Sequence, residues 1–246
     1  SDIAVIGGGV LGLEAAWELS RAGKNVTILE VSDGLMKNQL DDRASQLLKE
    51  NAEKSGLKVL TDVKIDQITE AGIDLADGTK VAGQLVIISA GVKPNAAVAV
   101  SGGIDGDRWI NVNEKMETSA KDVYACGDVA SCNGRSVGIW SQGLEMGKVA
   151  GANAAGDNLT YKAVTPSNSY SGMGTELFAI GDNGKKEGVH YKAIELSDPA
   201  RGIYKKLYFV NNRFVGGILM GDVTKAAKLL EGYEKKMTLE DMMNVI

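Results

Sequence analysis

Within its first twelve residues the chain runs Ile3-Ala4-Val5-Ile6-Gly7-Gly8-Gly9-Val10-Leu11-Gly12, and this transition restricts the fold more than any other stretch. Four successive apolar residues suit a buried parallel strand, whereas Leu11, Ala15, Ala16 and Leu19 recur at helical spacing between Val10 and Arg21. A strand must therefore become a helix across three glycines. Gly7 permits the tight turn, Gly9 leaves the backbone open to close approach by a ligand, and Gly12 lets the helix pack on the strand. Amides at a helix N-terminus lack helical acceptors and sit at the positive end of its dipole, so the segment Gly7 to Gly12, with Gly8, Val10 and Leu11 inside it, is built to cradle an anion.

The next strand, Asn25-Val26-Thr27-Ile28-Leu29, ends at Glu30. A carboxylate there accepts hydrogen bonds from ribose hydroxyls and repels a 2′-phosphate, which predicts a dinucleotide site that prefers NADH to NADPH. An ordinary glycine turn is the competing reading, but strand, glycines, helix, second strand and terminal acid fall in register.

A chain of 246 residues can bury a sizeable core as one large domain or two to three small ones. The net charge of -5 argues against nucleic acid as a partner, and no apolar run is long enough to cross a bilayer. Cys126 and Cys132 match neither a zinc site nor a CxxC pair, so no metal is expected and a reducing cytoplasm is the simplest setting. Ser1, directly before the first strand, reads as a cut within a longer chain.

Further along, Gln39 to Glu53 predicts a helix with Leu40, Ala44, Leu47 and Leu48 on one face. Lys58–Leu60 and Val63–Ile68 read as strands, and Ile73–Leu75 and Lys80–Ala82 flank the hairpin turn Asp77-Gly78. Leu85–Ile88 is another buried strand, and it leads into Ala90-Gly91-Val92-Lys93-Pro94. Ligands of open α/β sheets lie beyond strand C-termini, so Ala90 and Gly91 join the site, and Pro94 marks the exit from a first domain.

A second signal is Tyr124-Ala125-Cys126-Gly127-Asp128-Val129-Ala130, read as a short strand ending in Gly-Asp, followed by a helix from about Gly143 to Ala155. Gly127 allows close approach to the backbone. Asp128 either accepts a hydrogen bond from a polyol hydroxyl or caps its own loop. Cys126 reads as packing at the strand end, and Cys132 as a loop thiol that is reactive if exposed. His190 reads as a strand surface residue. Antiparallel strands with a hairpin at Asn211-Asn212 are expected between Glu176 and Asp222, then a helix from Val223 to about Lys235.

GGGVLGLEAA, VTILE, ISAGVKPN and YACGDVA, in this order, resemble the pyridine nucleotide-disulfide oxidoreductases, the two-dinucleotide flavoprotein reductases. The C-terminal third is similar to the small domain of NADH:rubredoxin reductases and of the flavin part of nitrite reductase large subunits. The resemblance implies an α/β fold: a Rossmann-like NAD(H)-binding domain with a β-hairpin excursion at 1–93, the C-terminal half of an FAD-binding domain at 94–160, and a small α+β domain at 161–246. Gly7, Gly9, Gly12 and Glu30 would then hold NADH, and Asp128 with Gly127 the ribityl chain of FAD.

By the same resemblance Glu14 lies near the nicotinamide and orients it for hydride transfer; a first-turn acid favoured by the helix dipole is the alternative. Trp140 is similar to a tryptophan beside the flavin edge, and equally suits a core or interface aromatic. The implied first FAD βαβ unit, with its own Gly-rich turn and any redox-active cysteine, is not within these residues. The expectation is thus part of an NADH-dependent flavoprotein reductase, itself inactive, passing electrons to a rubredoxin-like carrier, a nitrite reductase centre or another small acceptor. A nucleotide-binding module without catalysis and an NADH oxidase or disulfide reductase branch are the alternatives, and a plain dehydrogenase leaves YACGDVA unexplained. Residues 161–246 hold 12 Lys/Arg against 10 Asp/Glu, in an otherwise acidic chain. That bias suits docking of a small acidic electron carrier, but a solvated face explains it more simply. Oligomeric state stays open.

Overall fold

Strand β1 (Asp2–Ile6) is the centre from which the N-terminal architecture grows. Its side chains alternate, with Ile3 and Val5 packed into one core and Ala4 and Ile6 into another. The computed structural model describes residues 1–134 and 136–245. After β1 come helix α1 (Val10–Arg21), β2 (Asn25–Leu29), α2 (Asp42–Lys54), β3 (Lys58–Leu60), the antiparallel strands β4 (Ile65–Thr69), β5 (Gly72–Leu75) and β6 (Lys80–Ala82), and then β7 (Leu85–Ile88). Strands β3-β2-β1-β7 form a parallel sheet in that order. The β4-β5-β6 meander turns at Gly78 (φ +88°), and Ile73, Leu75 and Val81 cover Ala4, Ile6 and Leu29.

Residues Val92–Pro166 form a separate compact body. It holds α3 (Ala97–Ser101), β8 (Ile110–Val112), β9 (Ala130–Cys132) and α4 (Trp140–Ala154), with β8 and β9 paired in parallel. Met116, Met146, Val149 and Ala130 fill its core.

From Ser167 onward the chain rejoins the N-terminal body. Strands β10 (Ser167–Gly172), β11 (Thr175–Gly181), β12 (Lys192–Asp198), β13 (Ile203–Val210) and β14 (Arg213–Met220) make an antiparallel sheet ordered β10-β11-β14-β13-β12. One face packs Tyr170, Leu177, Tyr204 and Tyr208 into the core that holds α1 and α2. The other is covered by α5 (Ala226–Glu234) and α6 (Leu239–Met242) through Leu229 and Met242. The small domain therefore shares its core with the N-terminal sheet domain. The fold is α/β, with a parallel Rossmann-like sheet and an antiparallel C-terminal sheet domain.

Several expected boundaries shift for physical reasons. Helix α2 begins at Asp42, because the Asp41 carboxylate caps it by accepting from the Ala44 amide at 2.8 Å, and Leu40 is buried ahead of the helix. The strand expected over 63–68 starts at Ile65, since Val63 donates its amide to Glu30 instead. No regular strand precedes Gly127, where Tyr124 makes only an isolated bridge to Glu117, and the strand follows as β9. Helix α4 starts at Trp140, three residues before Gly143, and α5 at Ala226. Within α1 the buried face is Gly12, Leu13 and Ala16, while Leu11 is 66% exposed.

Candidate functional site

The turn between β1 and α1 is shaped by what its glycines avoid. Gly7 has φ +114°, and a side-chain carbon there would strike the carbonyl oxygen of Ser89. The same carbon on Gly12 would strike the carbonyl oxygen of Gly7, so α1 lies on β1 only because residue 12 has no side chain. Gly9 differs: nothing lies within 4 Å of such a carbon. Gly9 caps α1 without a side-chain hydrogen bond, and the first helical bond runs from the Leu13 amide to the Gly9 carbonyl at 3.0 Å. The amides of Val10, Leu11 and Gly12 precede that bond, at the positive end of the helix and beside open space. A pyrophosphate fits this cradle.

Gly8 is held from both sides. Its amide donates to Glu30 Oε2 at 2.5 Å, and its carbonyl accepts from the Met36 amide at 2.9 Å. Leu35, fully buried, packs against its Cα side. The other Glu30 oxygen accepts from the Ser32 amide at 2.7 Å. Each carboxylate oxygen carries further acceptor capacity, so Glu30 is fixed in place and remains able to receive a ribose diol. Ala90 and Gly91 follow β7 at the same sheet end, both exposed, with Gly91 at φ +93°.

Glu14 is exposed on the second turn of α1, and the first turn carries no acid. The helix-dipole explanation for Glu14 thus loses its footing, because that benefit fades beyond the first turn.

Gly127, Asp128 and Trp140 belong to the other body. Gly127 (φ +77°) opens a single 3₁₀ turn, and α4 passes close by it at Gly143. Asp128 is exposed and lines a cleft of about 210 Å³ with Lys93, Pro94, Arg108, Trp109 and Val137. The open space above Gly127 and a free-standing carboxylate at a cleft suit a polyol chain such as ribityl. Trp140, the first residue of α4, is 83% exposed, which rules out a core role within this body.

Sequence reasoning missed three supporting groups. Arg108 stacks over the Trp109 ring at 4.6 Å in the Asp128 cleft, a pairing hinted at only by their adjacency. Gln142, 4% exposed, accepts from the amides of Val137 at 2.8 Å and Gly138 at 3.2 Å and so shapes the cleft wall. Met36 anchors Gly8 from a left-handed conformation (φ +49°) that no residue-type rule anticipates for methionine.

The cysteine expectations exchange places. Cys126 is exposed, and Cys132 is buried in β9, where burial pushes its thiol pKa up. His190 is exposed just before β12. Six of the twelve basic side chains of the C-terminal third are paired with acids of this chain. Lys185 pairs with Asp42, Lys186 with Asp182, Lys205 with Asp222, Lys206 with Glu195, and Lys228 and Lys235 with Glu231. Among the described residues no cluster of three or more His, Cys, Asp or Glu is placed to hold a metal, and no helix is long and apolar enough to cross a membrane.

Comparison with known proteins identifies the family. A family model for pyridine nucleotide-disulphide oxidoreductase matches residues 1–156, and one for the rubredoxin NAD+ reductase C-terminal domain matches residues 166–237. The NAD(P)H nitrite reductase of Bacillus subtilis is 32% identical over 247 residues, covering 98% of this chain and 30% of the relative. The assimilatory nitrate reductase electron transfer subunit of the same organism is 36% identical over 238 residues, covering 95% of this chain and 31% of its own length. The crystal structure of NADH:rubredoxin oxidoreductase from Clostridium acetobutylicum matches with a TM-score of 0.81 at 28% identity, covering 100% of this chain and 63% of that one. The chain therefore spans about a third of those two curated relatives. By the match over residues 1–156, the chain belongs to the pyridine nucleotide-disulphide oxidoreductase family, and it carries a C-terminal domain of the rubredoxin reductase type.

Proposed function

We propose that this chain forms the NADH-binding and electron-delivering part of an FAD-dependent NADH oxidoreductase, with roles divided as NADH binding at 1–93, half of an FAD site at 94–160 and a supporting domain at 161–246. The observation that carries the reading is the clamp at Gly8, whose amide and Glu30 carboxylate are joined at 2.5 Å beside the open cradle of Gly9. In this role the amides of Gly9, Val10 and Leu11 hold the pyrophosphate, and Glu30 accepts from the adenosine ribose. A 2′-phosphate meets the Glu30 charge, which favours NADH. Glu14 orients the nicotinamide so that its hydride-bearing carbon presents one face, a matter of alignment in which small displacements carry large rate costs. Asp128 and Gly127 hold the ribityl chain, and Trp140 shields the ring edge. FAD, when bound, supplies the acceptor for the hydride and the store from which electrons leave.

For the acceptor, the names of the relatives favour a small protein carrier or a nitrite-reducing centre over a disulfide. NADH supply and two free thiols suit the cytoplasm. Calorimetric titration with NADH and NADPH tests the reading. NADH is expected to bind at least about tenfold more tightly, the worth of one charge-dependent discrimination; equal affinities overturn it. These 246 residues are proposed to bind NADH without turning over flavin. Absorbance near 450 nm that persists through purification, or NADH-dependent dye reduction, would contradict that part alone.

A further inference from the structure

Tyr170 lies on β10, is 3% exposed, and its hydroxyl is the one buried side-chain polar atom among the described residues that lacks a hydrogen-bond partner. A buried hydroxyl without a partner is unfavourable, and such groups mark strain, bound solvent or a functional contact. Its surroundings are specific. The hydroxyl sits over the Cα of Gly172 beside the Trp17 ring of α1, close enough that a side-chain carbon on Gly172 would lie 2.6 Å from Tyr170 Oη and 2.9 Å from Trp17 Cδ1. Trp17 is three residues after Glu14 on the same helix, so the two share a face. A helical side chain covers the turn N-terminal to its own Cα, which brings the Trp17 ring, and the hydroxyl against it, toward Glu14. Burial raises the Tyr170 pKa, and the Glu14 charge adds to that. The hydroxyl therefore keeps its proton and is available as a donor.

We propose that Tyr170 is a positioning residue for Glu14: its hydroxyl donates to the Glu14 carboxylate when the nicotinamide half of NADH is engaged, and the C-terminal domain thereby sets the pose of the group that orients the ring. This rests on the role given to Glu14 under the proposed function. A donor held by a rigid sheet restricts an otherwise solvated carboxylate, and hydrogen bonds to a charged acceptor are the stronger kind.

The test compares NADH with ADP-ribose, which fills the same clamp but has no nicotinamide. Binding of both is measured by calorimetry for the wild type, Glu14→Gln, Tyr170→Phe and the double variant. Tyr170→Phe removes an unsatisfied buried hydroxyl without leaving a polar orphan, so folding is preserved. NADH is expected to bind more tightly than ADP-ribose in the wild type. Tyr170→Phe and Glu14→Gln should each reduce that preference about tenfold, and the double variant no further than the single ones. If Glu14→Gln leaves the preference intact, the role of Glu14 fails. If Glu14→Gln lowers it while Tyr170→Phe weakens both ligands equally, changes neither, or adds in full to Glu14→Gln, the assignment of Tyr170 is overturned.

Discussion

The Gly8 amide and the Glu30 carboxylate are hydrogen-bonded at 2.5 Å, so the turn proposed to cradle phosphate and the acid proposed to read ribose are one mechanical unit. With Ser32 held by the second carboxylate oxygen, removing the acid releases two backbone amides as well as the ribose contact. Glu30→Ala is therefore expected to weaken NADH binding by about tenfold or more while narrowing the NADH preference over NADPH. Glu30→Gln, which keeps one acceptor oxygen, should fall between. Calorimetric dissociation constants for both nucleotides check this, and an unchanged ratio in Glu30→Ala would count against the selectivity argument.

Two glycines in one turn predict opposite phenotypes. Gly12→Ala forces a methyl into the Gly7 carbonyl, so α1 must lift from β1; a loss of about 2 kcal/mol or more is expected, read as a fall in thermal midpoint. Gly9 has an ordinary extended backbone (φ -82°) and open space, so Gly9→Ala should leave the midpoint within a degree or two. Its methyl would stand in the path of the pyrophosphate, and NADH affinity should drop. Equal midpoints for the two variants would refute the packing role of Gly12.

The two thiols should differ sharply toward a disulfide reagent. Cys126 is exposed and should react in the native protein. Cys132, buried with its pKa raised by desolvation, needs a local opening before its thiolate forms. Thiol titration is expected to give one fast equivalent in buffer and a second only in denaturant. Cys126→Ser should abolish the fast phase; its survival would reverse the assignment.

Local signals in the sequence were enough for β1, α1 and β2. Apolar patterning and burial act on the same few residues in each, with the glycine requirement added at the β1–α1 turn, and the observed bounds follow. Where a signal depended on what the chain meets elsewhere, it was silent or misleading. Leu11 has helical spacing but points to solvent, because α1 is pulled down at Gly12 instead. Cys126 and Cys132 exchanged roles because the strand forms after Gly127, whose left-handed turn interrupts the segment before it. Among the lysines that looked like a docking surface, Lys185 meets Asp42 and Lys205 meets Asp222, acids that no short window contains. Tyr170 offered no signal at all, since its significance lies in a missing partner.

The longest-range of these relationships makes the last prediction. Asp41, 8% exposed, accepts from Tyr204 Oη at 2.7 Å and Tyr208 Oη at 2.6 Å, residues 163 and 167 positions away, while its other oxygen caps α2. Asn183 adds bonds to the carbonyls of Lys37 at 3.3 Å and Leu40 at 3.2 Å, so the C-terminal sheet grips the segment leading from Met36 to α2. Burial first, and then the hydrogen bond to Asp41 with its charge, pushes both tyrosine pKa values well above the ordinary 10. The folded protein thus favours the neutral phenols more than the unfolded chain does. That contribution is complete below pH 10 and is lost as pH rises beyond it. Unfolding free energy from urea titrations should be level through neutral pH and decline above about pH 10, where unfolded tyrosines ionise. Tyr208→Phe should lower the neutral plateau by about 1–3 kcal/mol, the cost of withdrawing a donor from a buried carboxylate. The Tyr204→Phe/Tyr208→Phe pair should also flatten the alkaline decline, and an alkaline slope equal to that of the wild type would show that these phenols are not its source.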